Sequence, residues 1–495
     1  MVFALTTIAR PRECRSRAAS DARRPYPAAM RRTKLVCTIG PASETRLDEL
    51  VAAGMDVARL NLSHGKPADL ARAAKAARTA SAQAGRSVAI LADLSGPKIR
   101  LGSLRNGSAT LETGATFELR GGPRPGTRRA AGVSHERLAQ DLEPGDRVLL
   151  ADGAVELKVL AIEGDAVVTG VVRGGTVRPH AGVNVPSERL SGPPLTDKDR
   201  ADVPRLAQIG ADYVAQSFVR RADDVRALRL LLGRDGPPIV AKIETRAAID
   251  RFDEICDVAD AVMIARGDLG VELPYEEVPI LQKQLVRRAL DRGIPSIVAT
   301  QMLESMLTSP RPTRAEASDV ANAIFDGADA IMLSGETAIG AHPILAAEAA
   351  IRICLLCEAQ GSDYMAGGAP ARADTDAGAL AFAASALATA ESDVAAIACY
   401  TRTGRTARIL SALRPRVPIL AFSPDPGVVA QLSLVHGVEA RGCVPPDEVT
   451  GRLGLMAWLL GEHPALPAGA AVVLVASTAT PGTGPNILEV HRIPG

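Results

Sequence analysis

Aromatic side chains are scarce: one Trp, five Tyr and seven Phe amount to 3% of the 495 residues. Any core must be built from Ala, Val, Leu and Ile, and the stacking platforms of single-strand nucleic-acid binders are missing. An excess of one charge is lacking too. Lys+Arg 57 against Asp+Glu 56 leave a net charge of +1, which excludes the broad basic surface of a nucleic-acid-binding protein. No run approaches the roughly 18–20 uncharged apolar residues that span a membrane. The seven cysteines are odd in number and scattered, so they form no disulfide framework and the chain reads as a reduced, cytoplasmic protein. Cys354 and Cys357 make a C-x-x-C, but it sits in an apolar helical run without a second pair. It reads as two small buried residues rather than a metal or redox motif. A Walker sequence and a kinase Gly-rich loop are also absent, so any nucleotide is held by other means.

What is present is a series of short aliphatic runs, each ending in polar residues: Lys34–Gly40, Val57–Ser63, Val88–Leu94, Ala211–Phe218, Pro238–Glu244, Ala261–Gly267, Pro295–Gln301 and Ala330–Glu336. Near-continuous apolar runs of this length suit parallel strands buried on both faces. Helical patterns such as Thr45–Ala53 and Glu276–Arg292 fill most of the gaps. This alternation predicts an α/β chain closed as a (β/α)8 TIM barrel. One gap breaks the rhythm. Most of the stretch from Ser95 to Gly210 is rich in Gly, Val and turn signals, and reads as a small inserted β-barrel placed as a lid over the mouth. A Gly/Pro/Ala stretch follows Gly361, and then a C-terminal α/β segment with strands expected at Val394–Thr401, Val417–Phe422, Gly437–Val444 and Ala471–Ser477. Residues 1–29, rich in Arg and Ala, are read as a disordered or non-native extension before Met30. The expected division is 30–101 and 191–360 for the barrel, 102–190 for the lid and 361–495 for the last domain.

In such a barrel the chemistry lies at the carboxyl ends of the strands. Polar residues recur there two apart: Arg59, Asn61 and Ser63; Lys242 and Glu244; Arg266 and Asp268; Ser334 and Glu336, with Asp93, Arg100 and Thr300 beside them. Burying so many charges at one rim is costly unless they bind something. Glu244 and Asp268 are natural ligands for a hard divalent cation such as Mg²⁺. Arg59, Arg100 and Lys242 suit an anion, most simply phosphate, and the glycines of Arg266-Gly267-Asp268-Leu269-Gly270 let backbone N–H groups approach it. Metal plus cationic clamp is the equipment of phosphoryl transfer.

The stretches KLVCTIGPAS, ARLNLSHG, AKIE, FDEI, ARGDLGVE, ATQMLESM and PRPTRAEASDVANAIFDGADAIMLSGETA, in this order, resemble the pyruvate kinase family over nearly everything from Met30 onward. The resemblance implies Mg²⁺- or Mn²⁺-dependent phosphoryl transfer from phosphoenolpyruvate to ADP, by a homotetramer. It further implies that Lys242 stabilises the transferring phosphoryl group and the enolate, and that Arg59 holds the phosphate. Glu244 and Asp268 would bind the metal, and Gly267, Asp268 and Thr300 the carboxylate. Thr300, Ser334 and Glu336 are the family's candidates for the proton relay. Asn61, His64, Arg100 and Asp152 would lie near the nucleotide, and Asn61, Ser63, Asp93 and Leu94 match ligands of a monovalent cation.

Three departures stand out. Lys98 occupies a position where K⁺-requiring members carry Glu, and a tethered ammonium can deliver the +1 that K⁺ otherwise provides, so K⁺-independence is expected. Ala181 and Ala151 replace a Lys and an Asp of the lid, which bears on nucleotide selectivity. The loop Thr401-Arg402-Thr403-Gly404-Arg405-Thr406 resembles an effector's phosphate site, and reads equally as an ordinary helix start. Rival readings are another barrel enzyme acting on a metal-bound enolate, such as a lyase, a regulatory pseudoenzyme, and a purely structural role. PRPTRAE, the lid and the last domain argue against the first. Intact Lys242 and metal carboxylates argue against the second, and the charged rim against the third.

Overall fold

The computed structural model describes residues 31–63, 65–361, 364–365, 375–391, 393–443, 454, 460, 466, 468–476 and 487–493. Eight strands close into a barrel: Lys34–Thr38, Val57–Asn61, Ala89–Asp93, Tyr213–Gln216, Ile239–Ile243, Ala261–Ala265, Ser296–Ala299 and Ala330–Leu333. Each pairs in parallel with its sequence neighbours, and the first pairs with the eighth. All eight lie inside the expected runs, because a strand covered by helices on one face and a filled barrel on the other has no position that tolerates water.

Alternation inside each strand sorts the side chains. Leu35, Cys37, Ala58, Leu60, Ile90 and Ile243 join the core beneath the helices. Val36, Val57, Leu91, Ala215, Val240 and Met332 fill the barrel interior. Two helices open with capping boxes: Thr196 and Asp199 for Asp197–Gln208, and Thr313 and Glu316 for Arg314–Phe325. Cys354 and Cys357 are buried in the helix Pro343–Gln360, as the apolar run predicts.

The chain leaves the barrel after Asp93 and returns at Tyr213. Between them a six-stranded sheet curls around its own core of Phe117, Leu119, Val133, Leu150 and Leu157, with a separate two-stranded ribbon. Its edge strands, Val183–Asn184 and Ala130–Val133, do not pair with each other among the described residues, so the lid is a half-barrel. The C-terminal domain is a five-stranded sheet of Val394–Tyr400, Ile419–Ser423, Val438–Gly442, Ala471–Ala476 and Ile487–Arg492. The last strand is antiparallel and was not expected. Its polar, mostly unburied sequence ILEVHR is that of an edge strand and shows no apolar run.

This domain seats against the amino-terminal floor of the barrel. Leu434 is fully buried and packs into the barrel interior. Tyr213 Oη donates to the Gln431 carbonyl at 2.9 Å and Lys34 Nζ to that of Val438 at 2.8 Å.

Candidate active site

The inward columns end in polar groups at the mouth, one position beyond their apolar members. Val36 is followed by Thr38, Val57 by Arg59, Leu91 by Asp93, Ala215 by Ser217, and Val240 by Lys242 and then Glu244. Barrel closure brings them together. Arg59 donates from Nε to Asp93 at 2.7 Å and from Nη1 to Thr38 Oγ1 at 2.9 Å. Lys242 Nζ lies 2.9 Å from Glu244 Oε1, 2.9 Å from Ser217 Oγ and 3.5 Å from Asp93 Oδ1. The Phe218 N–H donates to the other Glu244 oxygen at 2.7 Å.

Burial by itself would push the Asp93 carboxyl up, but Lys242 and Arg59 outweigh it and hold the group below its ordinary range. Burial likewise opposes the Lys242 ammonium, and Asp93 and Glu244 overcome it, so its pKa is raised. Glu244 goes the other way. Burial and the neighbouring Asp268 carboxylate raise it against the pull of Lys242. Two carboxylates thus repel each other, Glu244 buried and Asp268 half-buried, and among the described residues Lys242 is the one partner of Glu244 Oε1. That donor set fits a hard divalent cation. No cluster of three or more His, Cys, Asp or Glu side chains that could hold a metal exists among the described residues, so a cation here needs oxygens from a substrate or water.

Strands six to eight differ from expectation. A helix, Arg266–Glu272, starts directly at the end of the sixth strand, so Arg266 and Asp268 do not share a strand face. Arg266 pairs with Asp319 of the helix Arg314–Phe325, at 2.7 Å. The Gly267 N–H is already used, donating to Thr300 Oγ1 at 2.7 Å. Thr300 and Gln301 both sit at positive φ, 72° and 54°. For a β-branched residue this conformation costs on the order of 1–3 kcal/mol and persists only where the surroundings impose it. Ser334 Oγ is buried without a partner among the described residues. Glu336 does not reach the open face: it is fully buried, and its oxygens accept from Leu303 N–H at 3.0 Å and Ser334 N–H at 2.7 Å.

On the lid side, Lys98 Nζ lies 3.2 Å from Asp268 Oδ1 and 3.9 Å from Asp152 Oδ1. Asp152 is largely exposed, on a turn where it and Ala151 both have φ 53°. Arg100 Nη1 donates to the His180 carbonyl at 3.2 Å, and Ala181 is half-buried in the lid. Of the monovalent-cation set, Asn61 Oδ1 accepts from Ser63 N–H at 3.0 Å, Asp93 is paired with Arg59, and the Leu94 carbonyl accepts from Ser217 at 2.8 Å. His64 lies outside the described residues. In the C-terminal domain Gly404, at φ 76°, opens the helix Arg405–Ala412 with no side-chain cap; Thr401 is buried beside it, while Arg402, Thr403 and Arg405 are exposed and Thr406 is half-buried. That loop is separate from the mouth.

Ser217 is the residue that the sequence reading misses, although it bonds Lys242, Asp93 and Leu94 at once. Its signal was parity: it continues the inward column Tyr213, Ala215.

A closed parallel barrel whose mouth gathers a lysine, an arginine and carboxylates beside an inserted β domain defines a barrel enzyme. Comparison with known proteins narrows the class. Residues 30–347 match the family model "Pyruvate kinase, barrel domain" and 379–491 match "Pyruvate kinase, alpha/beta domain". The pyruvate kinase of Mycobacterium tuberculosis is 43% identical, covering 94% of this chain and 98% of its own. That of Corynebacterium glutamicum is 40% identical with the same coverage. The crystal structure of a pyruvate kinase from Cryptosporidium parvum superposes with a TM-score of 0.86 at 32% identity, covering 94% of this chain and 97% of that one. The chain belongs to the pyruvate kinase family. It is accordingly a phosphotransferase of glycolysis, interconverting phosphoenolpyruvate plus ADP and pyruvate plus ATP.

Proposed function

We propose that the mouth performs this transfer with Lys242 as its central charge. The observation that carries the reading is the Lys242 ammonium held by Glu244, Ser217 and Asp93 at the ends of three different strands. Fixed in that way, it meets negative charge on a transferring phosphoryl group without reorganising. Arg59, oriented by Asp93 and Thr38, holds the phosphate of phosphoenolpyruvate. Glu244 and Asp268 hold Mg²⁺ or Mn²⁺, which neutralises charge on the phosphoryl oxygens when bound. Asp268 N–H and Thr300 orient the carboxylate, with the Gly267 N–H serving Thr300 in turn. Thr300 and Ser334 face the enolate that must be protonated, and Glu336 holds the Ser334 backbone in place. Asn61, His64, Arg100 and Asp152 serve the nucleotide. A coupled assay with phosphoenolpyruvate, ADP and Mg²⁺ is expected to show turnover that Lys242→Ala loses by about 10³-fold or more. Turnover equal to that of the variant refutes the reading.

The reaction is further proposed to proceed without K⁺. Lys98 brings its +1 beside Asp268, while the Asn61, Asp93 and Leu94 oxygens already accept bonds from protein donors. Activity in tetramethylammonium buffer supports this, and activity appearing only on adding K⁺ sinks it. Thr401, Thr403, Gly404, Arg405 and Thr406 are proposed as an effector's anion site, supported by the uncapped helix start. Sugar phosphates and nucleotides added to the same assay test it. A homotetramer is proposed from exposed Ile280, Leu356 and Tyr364 on the outer helical face, with light scattering as its test. A cytoplasmic location is proposed from the cysteines: the six described ones are free thiols.

A further inference from the structure

We propose that Arg266 is a positioning residue for Thr300, holding the threonine hydroxyl where the reaction needs it. The inference rests on the reading of Thr300 given above. Thr300 and Gln301 are consecutive non-glycine residues in the left-handed region, so this turn must be held from outside. A single guanidinium does so. Arg266 Nη2 donates to the Thr300 carbonyl at 2.7 Å and to that of Gln301 at 3.3 Å, and lies 2.9 Å from Met302 Sδ. Nη1 reaches both Asp319 oxygens at 2.7 Å and Gln282 Oε1 at 3.2 Å. The side chain is about nine-tenths buried and both its terminal nitrogens are taken by protein groups, so it acts through the turn rather than on substrate. With the backbone pinned, Thr300 Oγ1 donates to the Ala299 carbonyl at 2.5 Å and accepts from the Gly267 N–H at 2.7 Å. The planar fork matters, because it serves the carboxylate and the two carbonyls from different nitrogens at once. A lysine ammonium is a point charge that can satisfy Asp319 or the turn but not both.

The test is a double-mutant cycle on the full chain with Arg266→Lys, Thr300→Val and their combination, read in two ways. One readout is kcat and KM for overall turnover. The other is exchange of deuterium into the pyruvate methyl group with Mg²⁺ and ATP present, which isolates the protonation step. Arg266→Lys is expected to lower kcat and exchange together by about tenfold, leaving the KM for ADP within twofold. The double variant should be no worse than Thr300→Val alone within about twofold. Losses that multiply in the double variant overturn the proposal, as does a loss confined to KM or to melting temperature. Should Arg266→Lys fail to fold, Asp319→Asn, which keeps the arginine and removes its anchor, must show the same exchange defect and the same non-additivity. If Thr300→Val leaves exchange and turnover at parental levels, it is the Thr300 reading that fails, whatever Arg266 does.

Discussion

The two ends of the barrel both carry buried carboxylates and use them in opposite ways. At the floor, an Asp precedes every second strand, in Gly54-Met55-Asp56, Gly210-Ala211-Asp212, Val258-Ala259-Asp260 and Gly327-Ala328-Asp329. Each donates its own N–H to the carbonyl at the start of the preceding strand and accepts that residue's N–H on its carboxylate: Leu35, Ile90, Ile239 and Ser296 respectively. Each is also neutralised by arginine: Arg31 and Arg86, Arg78, Arg229, and Arg414 of the C-terminal domain. At the mouth, the Glu244 and Asp268 carboxylates repel each other, Ser334 Oγ has no partner among the described residues, and Thr300 is held at an unfavourable φ. Floor charges are matched within the protein. The mouth charges are also paired, but there two carboxylates share one neighbourhood in repulsion, and a hydroxyl and a strained turn stand beside them. Such a contrast is expected between residues that hold the barrel and residues proposed to work in it.

Opposed substitutions at the two ends put that contrast to the test. Glu244→Gln should cost turnover about 10³-fold yet leave melting temperature unchanged or higher, since a buried like-charge contact is removed. A clear fall in stability there would erase the distinction. Asp329→Asn should do the reverse. It strands Arg414 and weakens bonds to Ser296 and His436, so chemical denaturation should show a loss of about 3 kcal/mol while kcat of the folded fraction stays within a few-fold.

The pH dependence of unfolding sharpens the comparison, because the signs differ. Burial pushes the Asp56 carboxyl up, but Arg31, Lys34 and Arg86 more than reverse it, so its folded pKa lies below the ordinary 3.8. Its contribution is present above that pH and lost as pH falls through the folded value. Glu244 has a folded pKa above 4.5, so in metal-free protein its contribution is present below that pH and lost as pH rises through the folded value. Denaturation measured from pH 3 to 7 should therefore show a shallower acid limb in Asp56→Asn and a shallower rising-pH loss in Glu244→Gln, other shifted carboxylates keeping the rest of each limb. Identical slopes in the two variants would contradict the assignment. The smallest effect expected is that of Ser217→Ala, about tenfold in turnover, the worth of one hydrogen bond to a charged group. Stability should barely move, measured by the same denaturation.

Most of the architecture was legible because its signals are local. Eight apolar runs have the length and continuity of strands buried on both faces, and helical patterns such as Thr45–Ala53 and Glu276–Arg292 fill the gaps between them. The edge strand Ile487–Arg492 escaped because one exposed flank leaves no apolar run. At the mouth, Arg59, Asp93, Lys242 and Glu244 stood out by charge. Ser217 did not, since a lone Ser in an apolar stretch looks unremarkable until the inward column is followed. Arg266 was misplaced for a definite reason: the helix begins at the strand end, so spacing of two no longer means a shared face.

The amino-acid sequence by itself determined the order of strands and helices, the inward or outward sense of each strand residue, and the types of group gathered at the mouth, since all three follow from periodicities of two and 3.6. Which charge meets which was decided by closure of the barrel. Asp93 faces both Arg59 and Lys242 only because strands two, three and five curve round one axis at a common height. Leu434 and Arg414 reach the floor only because the C-terminal domain folds back under it. Such pairings join residues tens to hundreds of positions apart, and no local pattern in the chain carries that information.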